Sequence, residues 1–127
     1  MPYIGGGDLK RIFDRFKSCS ERVAKFYIAQ IAIGVGKLHE AGIIHRDLKL
    51  ANIMLEQNGY LKLIDFGLAR RVDPGALAQT CIGTPCYVAP ELLGTDGYSF
   101  GIDWWALGII LYEMVYGKRP FASSNPQ

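Results

Sequence analysis

The sequence predicts an α+β fold that is mainly helical, with one small β-hairpin. Three features predict it. A long amphipathic stretch, Val23 to Leu38, carries apolar residues at helical spacing. Asn58-Gly59, a strong hairpin-turn signal, lies between two short apolar strips, Ile53-Met54-Leu55 and Tyr60 to Ile64. A third stretch, Ile102 to Tyr116, is apolar on nearly every side, the pattern of a helix buried at the centre of a larger body.

The elements follow in order. Gly5-Gly6-Gly7 reads as a flexible strip. Asp8 is placed to cap a short helix, Leu9 to Phe16, with Leu9, Ile12, Phe13 and Phe16 at helical spacing. Ser18 or Ser20 precedes Glu21 and opens the long helix. Its predicted apolar face is Val23, Phe26, Tyr27, Ala29 or Gln30, Ile31, Ile33 or Gly34, and Leu38. Gly42 is a suitable C-terminal stop. The hairpin comes next. After Asp65 the chain reads as irregular for about 25 residues, punctuated by Gly67, Pro74, Gly75, Gly83 and Pro85, and a loop that long is usually functional or disordered. The buried helix closes the pattern. No internal repeat or low-complexity tract interrupts it.

Composition narrows the function classes. The chain has 127 residues, half of them hydrophobic and a fifth charged, which suits a packed core rather than disorder. A net charge of +2, with no Lys/Arg block longer than Lys10-Arg11 or Arg70-Arg71, argues against a dedicated nucleic-acid binder. The apolar run Trp104 to Tyr112 is too short for a membrane span. No secretory signal is visible near Met1, so the default expectation is the cytoplasm, or the nucleus. Three cysteines, Cys19, Cys81 and Cys86, with no C-x-x-C spacing, suggest neither a disulfide framework nor a zinc site. His39 and His45 read as two isolated side chains rather than metal ligands.

The chemistry is concentrated after the long helix. His45-Arg46-Asp47-Leu48-Lys49-Leu50-Ala51-Asn52 is followed, thirteen residues past Asn52, by Asp65-Phe66-Gly67, and later by Ala89-Pro90-Glu91. In identity and order these segments resemble the H-R-D-L-x-x-x-N, D-F-G and A-P-E series of the protein kinase family. Asp103-Trp104-Trp105-Ala106-Leu107-Gly108, Gly83-Thr84-Pro85-Cys86-Tyr87-Val88, and Tyr112-Glu113-Met114 with Gly117 to Phe121 resemble the group of cyclic-nucleotide-dependent and C-type protein kinases. The similarity runs along essentially the whole chain.

The resemblance implies a serine/threonine kinase using ATP and Mg2+. Phosphoryl transfer needs positioning and charge neutralisation more than covalent help. Asp47 would accept the acceptor hydroxyl's proton and Lys49 would contact the transferred phosphate. Asn52 and Asp65 would hold metal through oxygen. A lysine two positions after Asp47, and Thr84 in the acceptor-site loop, fit serine/threonine specificity. The carbonyl of Pro2 and the N–H of Ile4 would meet adenine, Asp8 the ribose, Met54 the floor of the ring, with Ile64 packed just before the metal-binding Asp65. For Met54 and Ile64 the plain alternative is hairpin core.

Thr80 would be an activating phosphosite for an upstream kinase, its phosphate paired with Arg46. Asp8 and Glu113 would read basic residues in protein or peptide substrates bearing Ser or Thr, although a third acidic position is Ala51 here. Asp103 and Glu91 would be structural anchors, Asp103 taking backbone amides near His45 and Arg46. The resemblance further implies that residues 1–127 are a partial kinase domain, the C-terminal large lobe from the hinge to just past the central helix. The N-terminal lobe and last helices would be absent. Such a chain is expected to be inactive in isolation. The alternative is a catalytically inactive kinase-like binding module acting as decoy or scaffold.

Overall fold

A computed structural model describes residues 7–79 and 83–121. Three helices dominate: α1 (Leu9–Phe16), α2 (Glu21–Glu40) and α3 (Gly101–Tyr116). Five short strands lie among them: β1 (Gly7–Asp8), β2 (Ile43–Ile44), β3 (Ile53–Leu55), β4 (Leu61–Leu63) and β5 (Arg70–Arg71). The chain is thus mainly helical with small antiparallel sheets, as expected. Pro2, Ile4, Thr80 and Cys81 lie outside the described residues.

Local signals account for the helix ends. The Asp8 carboxylate accepts from the Arg11 N–H at 2.9 Å, and Ser20 Oγ accepts from the Val23 N–H at 3.3 Å, so each side chain satisfies a donor the first turn leaves free. Of the two serines offered as caps, Ser20 is the one used. Gly42, at φ 75°, follows the end of α2 in the left-handed region that glycine enters without a Cβ clash.

The hairpin forms with Ile53 opposite Leu63 and Leu55 opposite Leu61. Ile53 and Leu55 point into the core while Met54, between them, is half-buried on the other face. Two differences from expectation concern very short strands. Gly7, read as part of a flexible strip, belongs to β1, which pairs antiparallel with β3 and makes a three-stranded sheet in the order β1-β3-β4. Arg70–Arg71, inside the segment read as irregular, pairs with Ile43–Ile44, and an isolated bridge joins Ala78 to Tyr98. Two-residue strands carry no alternation that a sequence pattern could reveal.

The core runs between α2 and α3. Ala24, Tyr27, Ile31 and Val35 of α2 are buried, and so are Ile102, Asp103, Ala106, Leu107, Ile109, Ile110 and Met114 of α3. The predicted face of α2 needs correction at Phe26, which is 57% exposed; of the alternatives Ile33 and Gly34, Ile33 is 67% exposed and Gly34 is the half-buried one. The packed stripe runs through Ala24-Tyr27-Ile31-Val35, where spacings of three and four keep side chains on one face. Phe26 and Ile33 lie off it. The nearly all-apolar α3 buries seven of its 16 residues but leaves Leu111 and Tyr116 exposed beside a groove of about 380 Å³ shared with Ala24 and Lys25 of α2. Among the described residues no helix is long and apolar enough to cross a membrane.

Candidate active site

The site is built where the loop after β2 meets the buried acid of α3. Asp103 is 1% exposed. Its Oδ2 accepts the His45 N–H at 2.8 Å and its Oδ1 the Arg46 N–H at 3.0 Å. His39 Nε2 also meets Oδ2 at 2.8 Å. A buried carboxylate without such donors would cost several kcal/mol, roughly the effective penalty for an unpaired buried ion. Arg46, immediately before Asp47, has φ 69°, an unfavourable backbone for an arginine. Strain of that kind persists only where surrounding bonds over-determine it, and the Asp103 carboxylate supplies one of them.

His45 is fully buried and holds the loop from the other side. Its Nε2 lies 3.3 Å from the Ile64 carbonyl and its Nδ1 accepts the Asp47 N–H at 3.3 Å, which requires the Nε2–H tautomer. The ring also stands edge-on to Phe66, at 5.2 Å between centroids. The two histidines are therefore not isolated, as the sequence suggested. Both tie the same loop, His39 from the end of α2 and His45 from within.

Asp47, Lys49 and Thr84 form one connected group. Thr84 donates to Asp47 Oδ1 at 2.8 Å and accepts from Lys49 Nζ at 2.9 Å, while Lys49 Nζ stands 3.5 Å from Asp47 Oδ2. Asn52 donates through Nδ2 to the Asp47 carbonyl at 2.8 Å and to Asp47 Oδ2 at 3.3 Å. That orientation leaves the Asn52 amide oxygen out of both bonds. Asp65 is exposed, at φ 57°, and among the described residues its Oδ1 accepts from the Gly67 N–H at 3.2 Å. The Ile64 N–H donates to the Asn52 carbonyl at 2.9 Å, so Asn52 and Asp65 are held on neighbouring chain segments.

This donor set fits a magnesium ion. Mg2+ prefers oxygen, keeps several waters, and is usually held by one or two carboxylates plus phosphate oxygens rather than an all-protein cage. One amide oxygen and one exposed carboxylate match that demand. Among the described residues no three His, Cys, Asp or Glu side chains cluster as a metal cage.

The remaining sequence candidates divide. Asp8 and Met54 stand directly opposite each other in the β1–β3 pair, which brings two of the five predicted nucleotide contacts together. Ile64 is half-buried. Arg46 reaches the Leu68 carbonyl through Nε at 2.6 Å and the Tyr98 hydroxyl through a terminal nitrogen at 3.0 Å. Glu113 accepts a hydrogen bond from Tyr87, whose phenol is pushed well above the usual tyrosine range, first by burial and then by that bond. Glu91 is exposed in the short 3-10 turn Pro90–Leu93. Sequence reasoning missed Tyr87, Tyr98 and His39 as parts of this network. Nothing in their spacing announces partners dozens of positions away.

Comparison with known proteins agrees with this geometry. The family model described as protein kinase domain matches residues 1–127. The chain is 46% identical over 131 residues to "Atypical protein kinase C" of Drosophila melanogaster, covering 99% of this chain and 22% of that protein. It is 46% identical over 129 residues to "Protein kinase C zeta type" of Oryctolagus cuniculus, with the same coverage of 99% and 22%. It is 43% identical over 125 residues to "cAMP-dependent protein kinase catalytic subunit 2" of Drosophila melanogaster, covering 98% of this chain and 35% of the relative. The chain thus spans between about a fifth and a third of the length of these curated relatives. The matched segment carries the connected Asp47, Lys49, Asn52 and Thr84 group described above, and the chain belongs to the protein kinase family.

Proposed function

We propose that this chain is the catalytic-loop portion of a serine/threonine protein kinase, which transfers the γ-phosphoryl group of ATP to Ser or Thr hydroxyls of proteins. The observation that carries the reading is the Asp47–Thr84–Lys49 group. In it a carboxylate already accepts a hydrogen bond from an aliphatic hydroxyl whose oxygen is contacted by an ammonium group. An acceptor serine or threonine needs the same two partners: a base for its proton and a cation near the oxygen that gains phosphate.

Within that reading Asp47 is the base and Lys49 stabilises the transferred phosphate. Asn52 and Asp65 hold magnesium through their free oxygens. Bound ATP·Mg2+ would supply the phosphoryl group and neutralise part of its charge. Pro2 and Ile4 serve adenine, Asp8 the ribose, and Met54 and Ile64 the apolar floor. Arg46 is the partner for a phosphate on Thr80 placed there by an upstream kinase. Glu113 and Asp8 face basic substrate residues, and the pairing of Glu113 with Tyr87 and of Asp8 with the Arg11 N–H weakens both for that task. Asp103 and Glu91 anchor the surrounding loops.

We further propose that the isolated 127-residue chain transfers little or no phosphate: the proposed metal ligand Asp65 is exposed, and water weakens charge interactions there. The test grafts residues 1–127 in place of the matching segment of the "cAMP-dependent protein kinase catalytic subunit 2" relative, then measures phosphate transfer to a serine peptide. Activity lost on Asp47→Asn supports the reading. A folded chimera without activity removes it. Intact mass of the native product, in parallel, decides whether cells make the segment alone or within a longer chain.

A further inference from the structure

Asn58-Gly59 closes the β3–β4 hairpin, and the same two residues can react with each other. The Gly59 amide nitrogen is within reach of Cγ of the Asn58 side chain, and attack there closes a cyclic imide. Asn58 is exposed, and a Cβ on Gly59 would meet nothing within 4 Å, so the nitrogen is uncrowded. In the closed turn, however, each reacting group is held. The nucleophile's N–H donates to the Glu56 carbonyl at 3.0 Å. The Asn58 Oδ1, on the carbon to be attacked, accepts the Tyr60 N–H at 3.0 Å. The leaving nitrogen Nδ2 donates to Glu56 Oε2 at 3.4 Å. The Glu56 N–H donates to the Tyr60 carbonyl at 2.8 Å and completes the loop. An amide nitrogen attacks only after losing its proton, and here that proton is bonded to a carbonyl, which is no base.

We infer that Asn58 is a self-modification site held shut by the hairpin: it deamidates when the turn opens, and the product keeps the turn from closing again. Opening is accessible because β3 and β4 are three residues each and the turn faces solvent, and such segments open at lower free energy than the core. In the open turn the Gly59 nitrogen gives its proton to solvent base and bonds to Cγ. Nδ2 takes up a proton and leaves as ammonia, with no change of oxidation state. Water then adds to one of the two imide carbonyls. Addition at Cγ gives aspartate. Addition at the main-chain carbonyl of residue 58 gives isoaspartate, in which the chain runs through the former side chain. Aspartate keeps an oxygen for the Tyr60 N–H but sets a like charge beside Glu56. Isoaspartate lengthens the main chain by one carbon, so the Gly59-to-Glu56 and Glu56-to-Tyr60 bonds no longer close together. The disturbance passes into β4, whose Leu61 N–H donates to Gln30 Oε1 at 2.9 Å, and to the Ile64 N–H, which donates to the Asn52 carbonyl at 2.9 Å. That it thereby reaches the nucleotide side, through Met54 and Asn52, rests on the function proposed above; the chemistry of the turn does not.

The test incubates the 127-residue chain in water enriched in oxygen-18, which labels the new carboxyl, and follows residue 58 by peptide mapping. The chain unfolded in urea is expected to gain label at residue 58, and the folded chain to gain it at least about tenfold more slowly, the scale of one turn hydrogen bond that must break before attack. Leu61→Ala, which weakens the packing opposite Leu55, should move the folded rate toward the unfolded one. If that variant fails to fold, the parent at urea concentrations below its unfolding transition gives the same comparison. The isolated isoaspartate product is expected to exchange the Leu61 and Ile64 amides faster than the fresh chain, with Ile109 and Ile110 of α3 as unchanged controls. Equal rates in the folded and unfolded chains overturn the inference, as does absence of label at residue 58 in the unfolded chain. A rate indifferent to weakening of the hairpin, or an isoaspartate chain with unaltered exchange at Leu61 and Ile64, overturns it too. An inactive chimera would remove the link to the nucleotide side and leave the result at Asn58 standing.

Discussion

Thr84 and Asp47 share a hydrogen bond of 2.8 Å, and the hydroxyl that donates it also accepts from Lys49 at 2.9 Å. One side chain thus links the loop before Pro85 to the proposed base and its neighbouring cation. Thr84→Val, equal in shape but without the hydroxyl, is expected to destabilise the chain by about 1–2 kcal/mol, because Lys49 and Asp47 each lose a partner. Thr84→Ser should restore most of it. Urea unfolding midpoints at constant slope would check both, and equal midpoints for Thr84→Val and the parent would show the bond to be energetically idle.

Asp103→Asn retains one oxygen acceptor and turns an NH2 group toward a donor. With His39, His45 and Arg46 all donating to the native carboxylate, the substitution is expected to cost about 3 kcal/mol, in the range for breaking a buried charged network. The melting temperature should fall by several degrees. A drop within the error of the measurement would contradict the account of the site's anchoring.

Stability should also fall at alkaline pH, and the sign follows from Tyr87. Burial, then the bond to Glu113, raise its phenol pKa in the folded chain, while in the unfolded chain it ionises near about 10. Below that value both states are protonated and the contribution is fully present. As pH rises beyond it the unfolded state loses its proton first, so stability is lost progressively. Tyr27, raised by burial and secondarily by Cys19, acts in the same direction. Tyr87→Phe should flatten the decline above pH 10, as read by unfolding free energy against pH. An unchanged slope would place the alkaline transition elsewhere.

Two glycines at nearly equal φ should respond differently to alanine. Gly97 has φ 85°, and a Cβ there would stand 2.9 Å from the Leu77 side chain and 3.0 Å from the Ala78 carbonyl oxygen. Gly59, at φ 84° in the hairpin turn, faces open space. Gly97→Ala is expected to cost about 2–3 kcal/mol, because steric overlap adds to left-handed strain, and Gly59→Ala about 1 kcal/mol, from strain alone. Similar losses at both sites, measured by chemical denaturation, would mean that the bridge between Ala78 and Tyr98 yields freely.

The groove between α2 and α3 predicts poor solubility of the chain purified alone. Leu111 is 37% and Tyr116 62% exposed at its edge. Exposed contiguous apolar surface promotes association. Leu111→Lys combined with Tyr116→Glu should lower light scattering at matched concentration and leave the helical circular dichroism unchanged. Scattering that persists would shift attention to Phe26 and Ile33 on the outer face of α2.

What could be read from the sequence was what chemistry or period dictates residue by residue. Asp8 and Ser20 act at helix starts because short oxygen-bearing side chains reach the free N–H groups there. The hairpin followed from Asn58-Gly59 between apolar strips. Asp47, Asn52, Thr84 and Asp103 were found through motif identity, since phosphoryl transfer restricts the residue types that serve it. The missed features are long-range or too short to have a period. Gly7–Asp8 and Arg70–Arg71 are two-residue strands whose partners are distant in sequence. Phe26 and Ile33 match a helical spacing, but the buried stripe runs through Tyr27, one position from Phe26, and through Ile31 and Val35, two positions on either side of Ile33. The bonds of Tyr87 to Glu113 and of His39 to Asp103 depend on how α3 lies against the loops before it.

The dependence of the catalytic loop on Asp103 has a consequence for synthesis. His45 and its anchor are 58 positions apart, and the anchor is made second. At a translation rate of roughly 5–20 residues per second, about 3–12 seconds separate them. Throughout that interval Arg46 has nothing from α3 to hold its left-handed backbone, so the loop samples ordinary conformations. A nascent chain stalled before Asp103 carries Asp47, Lys49, Asn52 and Asp65 in full chemical identity without the spatial order described above. These residues are made before the carboxylate that orders the loop around them.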